Sequence, residues 1–331
     1  MKSEKDFSEI RRSILRAAGL AMTATVGIAS AQGRFPDRPV HLIVPYGAGG
    51  TSDLLARYVG QQLGELWGQQ MVVENRAGGG TVIGASSVAR SQPNGNTLLL
   101  TNNTHVINPH LMPSLPYDAI GDFTPVATVA TSAYLLLLNP SVPANNLGEF
   151  LALAKSRPGK LNFGTHGVGG LTHLAAELLS ASAGIKMEMV QYKGAGPALT
   201  GILGGEVDVY LDAPATTLPY IRSGKLRAIG ISGQSRLSSL PQVPTIAQAG
   251  VPDFDVTIWY GLLGPSGIAP AVVQKINADL NAVLALPEVQ QKLDGLGVTP
   301  FPTTAPEFAR WMRSEQDKYG RIVKSAGIKT N

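Results

Sequence analysis

No cysteine occurs in these 331 residues. That absence removes disulfides, thiol nucleophiles, thiolate metal sites and lipid attachment at cysteine together. Charge is also scarce, with Asp, Glu, Lys and Arg making up only 15% of the chain. The formal balance is 27 − 23 = +4, and the basic residues are dispersed, which excludes a nucleic-acid surface. Hydrophobic residues nonetheless reach 44%, so a folded core is expected, and the length allows two domains.

Enzyme fingerprints are missing too. G-x-G-x-x-G fails at Gly47–Ser52, because Ser52 stands where a glycine is needed. A phosphate loop fails there as well, since no lysine lies between Pro45 and Leu54. No histidine pair has H-E-x-x-H spacing, so no metal site is expected. There is no G-x-S-x-G nucleophile elbow, and no nucleophile pairs with Asp212 by local spacing. No catalytic residue is assigned.

What is present begins with an export signal. Lys2, Lys5, Arg11, Arg12 and Arg16 precede the uncharged run Ala17–Ile28, which ends in Ala29-Ser30-Ala31. A basic region, a short apolar region and a small-x-small exit form a cleaved signal, placing cleavage near Ala31. The run is well short of the roughly 20 residues a membrane span needs. "RRSILR" resembles a twin-arginine signal, but Ile10 sits where that pattern has Ser or Thr, so the Sec and twin-arginine routes both stay open.

After that segment, strand and helix patterns alternate. His41–Val44, Met71–Arg76 and Thr97–Thr101 read as strands, with helical spacing from Leu54 to Leu63 and over Val82–Arg90. The pattern restarts with strands at Tyr134–Leu138, Lys160–Thr165, Met187–Tyr192, Val207–Asp212 and Leu226–Ser232. Helical segments lie between them at Leu147–Lys155, Leu171–Ala183, Pro197–Leu203 and Thr217–Ser223. Such alternation predicts α/β layers built on mainly parallel sheets. One strand, Val256–Gly264, and three helices close the chain; too few to form a domain alone, they are expected to rejoin the first lobe. No short sequence repeat is apparent.

Four polar tips directly follow strands, where open α/β sheets bind ligands. The first, Tyr46–Asp53, offers backbone amides at a helix N-terminus, through Tyr46, Ala48, Gly49, Gly50, Thr51, Ser52 and Asp53. Plain N-capping by Thr51 or Ser52 is the competing reading there. The second is "FGTHGVGGLTHLAAELL", with Thr165, His166, Gly167, Val168, Gly169 and His173. The third is "YKGAGPALTGILGGEVDVYLDAP", with Lys193, Pro197 at a helix's first position and Asp212 at its far end, and the fourth is "TNNTHVINP", with Thr104 and His105. His41 is expected to be structural.

The segments "FPDRPVHLIVPYGAGGTSDLLAR", "VVENRAGGG", "INPHLMPSLPYDAIGDFTPVA", "VQYKGAGPALTGILGGEVDVYLD" and "GKLRAIGISGQSRLSSLPQVPTIAQAG" resemble the Bug family. These are periplasmic substrate-binding proteins of tripartite tricarboxylate transporters, and "WYGLLGPSGIAPAVVQKINADLNAVL" continues the match. The resemblance implies a two-lobed periplasmic-binding-protein fold of type II, each lobe a mainly parallel sheet flanked by helices, with a hinge between lobes. Residues 1–31 would be the signal peptide, 32–131 plus 256–331 the first lobe, and 132–255 the second. Crossings are expected near Ala130–Ser132 and Val256–Trp259.

The resemblance further implies a small mono- or dicarboxylate held between the lobes by loop amides and ordered waters. Tyr46–Asp53 would face it from one lobe, and Gly164–Gly170 with Asp212 from the other. It implies a periplasmic monomer without cofactor, partnered by membrane permease subunits of the transporter. Many members carry a Pro-rich, Phe-containing first loop where this chain has Tyr46-Gly47-Ala48, and small or polar residues at His166. Tyr46 and His166 could stack on an aromatic carboxylate, and aliphatic acids fit equally well. A ligand-presenting sensor and an exported enzyme remain as the other two classes.

Overall fold

The first strand, β1 (Val40–Val44), buries every residue except His41, as expected of a central strand covered on both faces. His41 instead bonds Glu74 through Nδ1 at 2.5 Å, on the edge strand beside it. The structure is a computed structural model and describes residues 35–327; the proposed signal peptide lies outside the described residues. From Arg38 on, the chain forms one unit built on two sheets.

In the first sheet the order is β11-β4-β10-β3-β1-β2. Its strands are β1, β2 (Met71–Asn75), β3 (Thr97–Asn102), β4 (Phe123–Ala133), β10 (Thr257–Pro265) and the short β11 (Thr299–Pro300). The second sheet runs β7-β6-β8-β5-β9, from β5 (Leu135–Leu138), β6 (Asn162–Thr165), β7 (Glu188–Gln191), β8 (Val209–Asp212) and β9 (Arg227–Ile231). The segments β2-β1-β3 and β7-β6-β8 are parallel. Both sheets are nonetheless mixed, because β10 and β5, which bring the chain across, run antiparallel to both of their neighbours.

Strand β4 has no counterpart among the strands expected from sequence. It carries Pro125, which cannot donate a ladder hydrogen bond. The register against β10 shifts between Leu262 and Leu263, where Pro125 pairs, so a bulge absorbs the proline. This longer strand carries the chain to Ala133 before it changes sheet, beyond the expected crossing at Ala130–Ser132.

Ser232 joins the two crossings. It is fully buried, donates from Oγ to Val256 O (2.7 Å), and accepts there from Tyr134 N–H (2.8 Å). Its own amide donates to Tyr134 O (2.9 Å).

Eight of the helices flank the strands in sequence: α1 (Thr51–Trp67), α2 (Val82–Ala89), α3 (Thr104–Leu111), α4 (Leu147–Ser156), α5 (Leu171–Ala183), α6 (Ala195–Gly204), α7 (Pro214–Arg222) and α8 (Pro270–Leu284). Then come α9 (Pro287–Gly295) and α10 (Ala305–Ala326). The last helices pack on the first sheet. Asn277 of α8 donates to Val126 O of β4 (2.8 Å), and Asn103 binds Glu315 (3.0 Å) and Tyr319 (3.0 Å) of α10. No helix among the described residues is long and apolar enough to cross a membrane.

Candidate functional site

Two helix starts are capped by side chains, and those beside the polar loops are not. α4 starts at Asn146, whose side chain accepts from Glu149 N–H, and α10 starts with a Thr304/Glu307 capping box. By contrast α1 and α5 start at Gly50 and Gly170, neither of which has a side chain to cap with. Their first bonds are Asp53 and Leu54 N–H to Gly50 O (both 3.0 Å) and Leu174 N–H to Gly170 O (3.0 Å). Thr51 and Ser52, and likewise Leu171 and Thr172, therefore hold amides that no turn of their own helix can satisfy. This geometry, with the positive helix end, attracts an anion. It also answers the capping alternative, since no side chain caps α1.

The two loops are one motif used twice, a repeat that the plain sequence pattern hid. Gly47-Ala48-Gly49-Gly50-Thr51-Ser52-Asp53 aligns with Gly167-Val168-Gly169-Gly170-Leu171-Thr172-His173. Gly49 and Gly169 both take left-handed φ, +84° and +74°. In each loop the third helical residue folds back: Gly49 N–H donates to Asp53 Oδ2 (2.9 Å) and Gly169 N–H to His173 Nδ1 (2.9 Å). Asp53 and His173 were expected to face ligand. Both are buried props instead, Asp53 also meeting Arg57 at 3.0 Å and His173 lying 3.5 Å from Glu177. Burial would raise the Asp53 pKa, but Arg57, Gly49 and Asn75 outweigh it and hold its carboxyl below the usual range.

Further supports follow the same logic. Thr172 Oγ1 accepts from His166 N–H (3.0 Å), and Thr165, fully buried, bonds Gln191. Gly167 has φ +133°, and Val168 remains exposed at the loop tip. The second loop closes on α3, for a Cβ added to Gly169 would lie 2.4 Å from Leu111 Cδ1.

Tyr46 and His166 occupy equivalent places before the repeat, and an aromatic cluster gathers around them. Tyr46 OH lies 3.4 Å from Thr101 Oγ1 and near Thr104; burial pushes it up to about 12 against those bonds. Tyr134 and Tyr260 are buried close enough to Tyr46 and Asp212 that the charges would repel, and both are raised, chiefly by burial. Tyr134 meets the His166 ring edge-on at 6.4 Å. His166 Nε2 lies 2.6 Å from Tyr210 OH and 3.7 Å from Asp212 Oδ1. Asp212 is buried, accepting from Ala213 N–H (2.8 Å) and Thr216 Oγ1 (2.9 Å), and burial pushes it up to about 6. The sequence pattern missed Tyr134, Tyr210 and Tyr260. A tyrosine in a strand reads as core; Tyr210 reaches the loop because β8 pairs with β6 opposite Gly164, and Tyr134 and Tyr260 lie beside the crossings.

His105 leaves the site. Its ring packs on Phe123 at 4.6 Å and Tyr117 at 5.9 Å, and Nε2 bonds Ala119 O at 2.8 Å. The polar tip after β3 turns at once into α3, which carries His105 into the core, while Thr104 stays beside Tyr46.

Burial lowers both His105 and His166 to about 4, below the ordinary value of 6.5. Between these values the unfolded chain binds more protons, so their contribution is complete above about pH 6.5 and is lost as pH falls towards 4. For His105 that amounts to about 3 kcal/mol. Asp212 acts oppositely: its folded pKa is raised, so stability recovers as pH falls through about 6 towards 4. Urea unfolding should therefore show stability falling over this interval, and falling more steeply in Asp212→Asn. A shallower fall in that variant would contradict the assignment.

Comparison with known proteins gives a consistent picture. A family model described as "Tripartite tricarboxylate transporter family receptor" matches residues 55–328. Protein BugT of Bordetella pertussis is 34% identical over 310 residues, covering 92% of this chain and 95% of BugT. The structure of Rhodopseudomonas palustris Rpa4515 with adipate has a TM-score of 0.83 at 31% identity, covering 89% of this chain and 99% of that one. MatC from the same organism, with bound malate, has a TM-score of 0.78 at 32% identity, with 87% and 100% covered.

Proposed function

The chain belongs to the tripartite tricarboxylate transporter receptor family, and from that premise we propose that it captures a small carboxylate between Gly47–Asp53 and Gly167–His173 for delivery to the membrane subunits of such a transporter. The observation that carries this reading is the repeated glycine loop at the starts of α1 and α5, each offering uncapped amides after a strand of a different sheet. One carboxylate has lone pairs enough for both sets, and charge-assisted bonds of this kind are the strong ones. A ligand that only the two loops together can satisfy favours the state in which they meet, by its differential affinity for that state.

The charge comes from backbone rather than side chains. Neither loop holds a Lys or Arg, and Lys193, which lies after β7, is exposed. Two relatives are solved with adipate and with malate, which supports a short dicarboxylate as the ligand class here. The basic, apolar, small-x-small N-terminus supports action in the periplasm.

Thermal unfolding against aliphatic and aromatic carboxylates, phosphate and amino acids tests the reading. A true ligand at 100 times its dissociation constant adds about 2.7 kcal/mol, a shift of several degrees. A response to carboxylates without product formation is expected. Turnover, or no carboxylate response, would send the assignment elsewhere.

A further inference from the structure

His166 stands at the entrance to its loop with a hydrogen-bonding state fixed by its neighbours. Its ring keeps 22% of the side-chain surface exposed, whereas Asp212 beside it keeps 3%. Nε2 lies 2.6 Å from Tyr210 OH. Tyr210 has one proton to give, and its hydroxyl donates to Ala195 O at 3.2 Å, an atom that can only accept. With the Tyr210 proton directed to Ala195 O, or to the Asp212 carboxylate that also bonds this hydroxyl, the proton in the His166–Tyr210 bond is assigned to Nε2. Asp212 Oδ1, 3.7 Å from the same nitrogen, favours the same placement, because a lone pair there would face a carboxylate. The ring is neutral at ordinary pH, burial having lowered it to about 4. A neutral imidazole with its proton on Nε2 has a bare lone pair on Nδ1. Nδ1 forms no hydrogen bond with the described residues; the Tyr210 ring lies tilted at 5.5 Å, on the side bonded to Nε2, and Tyr134 meets the imidazole edge-on at 6.4 Å.

We propose that His166 is a specificity-determining residue whose Nδ1 accepts a hydrogen bond from the ligand, so that the site selects carboxylates carrying a hydroxyl or ammonium donor over matched ones without it. The inference rests on the reading of the cleft as a carboxylate site. A ligand without a donor leaves this acceptor desolvated and unpaired, whereas a donor satisfies it. Discrimination of about tenfold to a hundredfold is expected. The amides at the starts of α1 and α5 fix the carboxylate, and His166 judges what is attached to it.

Two measurements test this on the purified chain. Nitrogen-15 NMR of the labelled histidines should find His166 as the Nε2–H tautomer at pH 7.5; a proton on Nδ1 overturns the proposal without any ligand. Calorimetry should then compare malate with succinate, aspartate with succinate, and 3-hydroxybutyrate with butyrate. At least one donor-bearing member should bind about ten times or more tighter than its match. That ratio should collapse towards one in His166→Phe and persist in His166→Asn, whose amide oxygen can accept in place of Nδ1, with circular dichroism confirming that both fold. Equal binding within every pair, or a ratio unchanged in His166→Phe, overturns the selector and leaves the carboxylate reading standing. Failure of all these acids to bind overturns the carboxylate reading and the selector with it.

Discussion

Replacing Gly169 by alanine should weaken binding of the best carboxylate by at least about tenfold more than the same replacement at Gly49 does. Both glycines have left-handed φ, so each alanine meets a backbone cost of about 1–2 kcal/mol. Around Gly49 a new methyl group meets nothing within 4 Å. At Gly169 it would lie 2.4 Å from Leu111 Cδ1 and 3.2 Å from Leu111 Cγ, at the end of the helix that follows β3 of the first sheet. Leu111 can swing its tip aside, but the loops then cannot approach as closely. Gly169 N–H is also anchored to His173 Nδ1, so a shift there moves the start of α5 and the amides it presents. Calorimetry on the two variants reads the difference. Equal losses would mean that the closeness of Gly169 to Leu111 has no part in binding.

Asn103→Ala should remove about 3–5 kcal/mol of unfolding free energy, the largest single-residue effect expected outside the apolar core. Asn103 is fully buried between β3 and α3. Its Nδ2 lies within hydrogen-bond distance of Thr257 O (3.1 Å), Glu315 Oε2 (3.0 Å) and Tyr319 OH (3.0 Å), while Oδ1 accepts from Trp259 N–H (3.0 Å). One side chain thus ties α10 to β10 and to the end of β3 in the first sheet. Truncation strands the Trp259 amide and leaves Glu315, itself only 6% exposed, with Lys318 as its remaining ionic partner at 2.6 Å. Urea denaturation measures the loss. A change under about 1 kcal/mol would show that water or a rearranged neighbour replaces these bonds.

Asn103 also marks a limit of reading sequence. It sits in "TNNTHVINP", and the polar run pointed to a ligand loop when most of it serves the core. Nothing local announces that α3 starts at Thr104 and turns His105 against Phe123 and Tyr117. The glycine loops were legible because strand, paired glycines and helix are a local pattern with a local cause. Their repetition was harder to see, since Thr51 and Leu171 differ, as do Asp53 and His173. Only the shared return bonds to Gly49 and Gly169 show that an acid and an imidazole do the same task. β4 escaped because Pro125 argues against a strand until β10 supplies the bulge that accommodates it. Tyr134 and Tyr260 gain their meaning from the crossings, whose pairing through Ser232 depends on residues far apart in the chain.

The central claim is that one carboxylate is shared by the two helix starts. Backbone nitrogen-15 NMR during titration with the tightest carboxylate of the panel tests it most directly, by following the amides of Thr51 and Ser52 with those of Leu171 and Thr172. Both pairs should shift together, with one dissociation constant. Shifts confined to one loop, or absent from both, would contradict it.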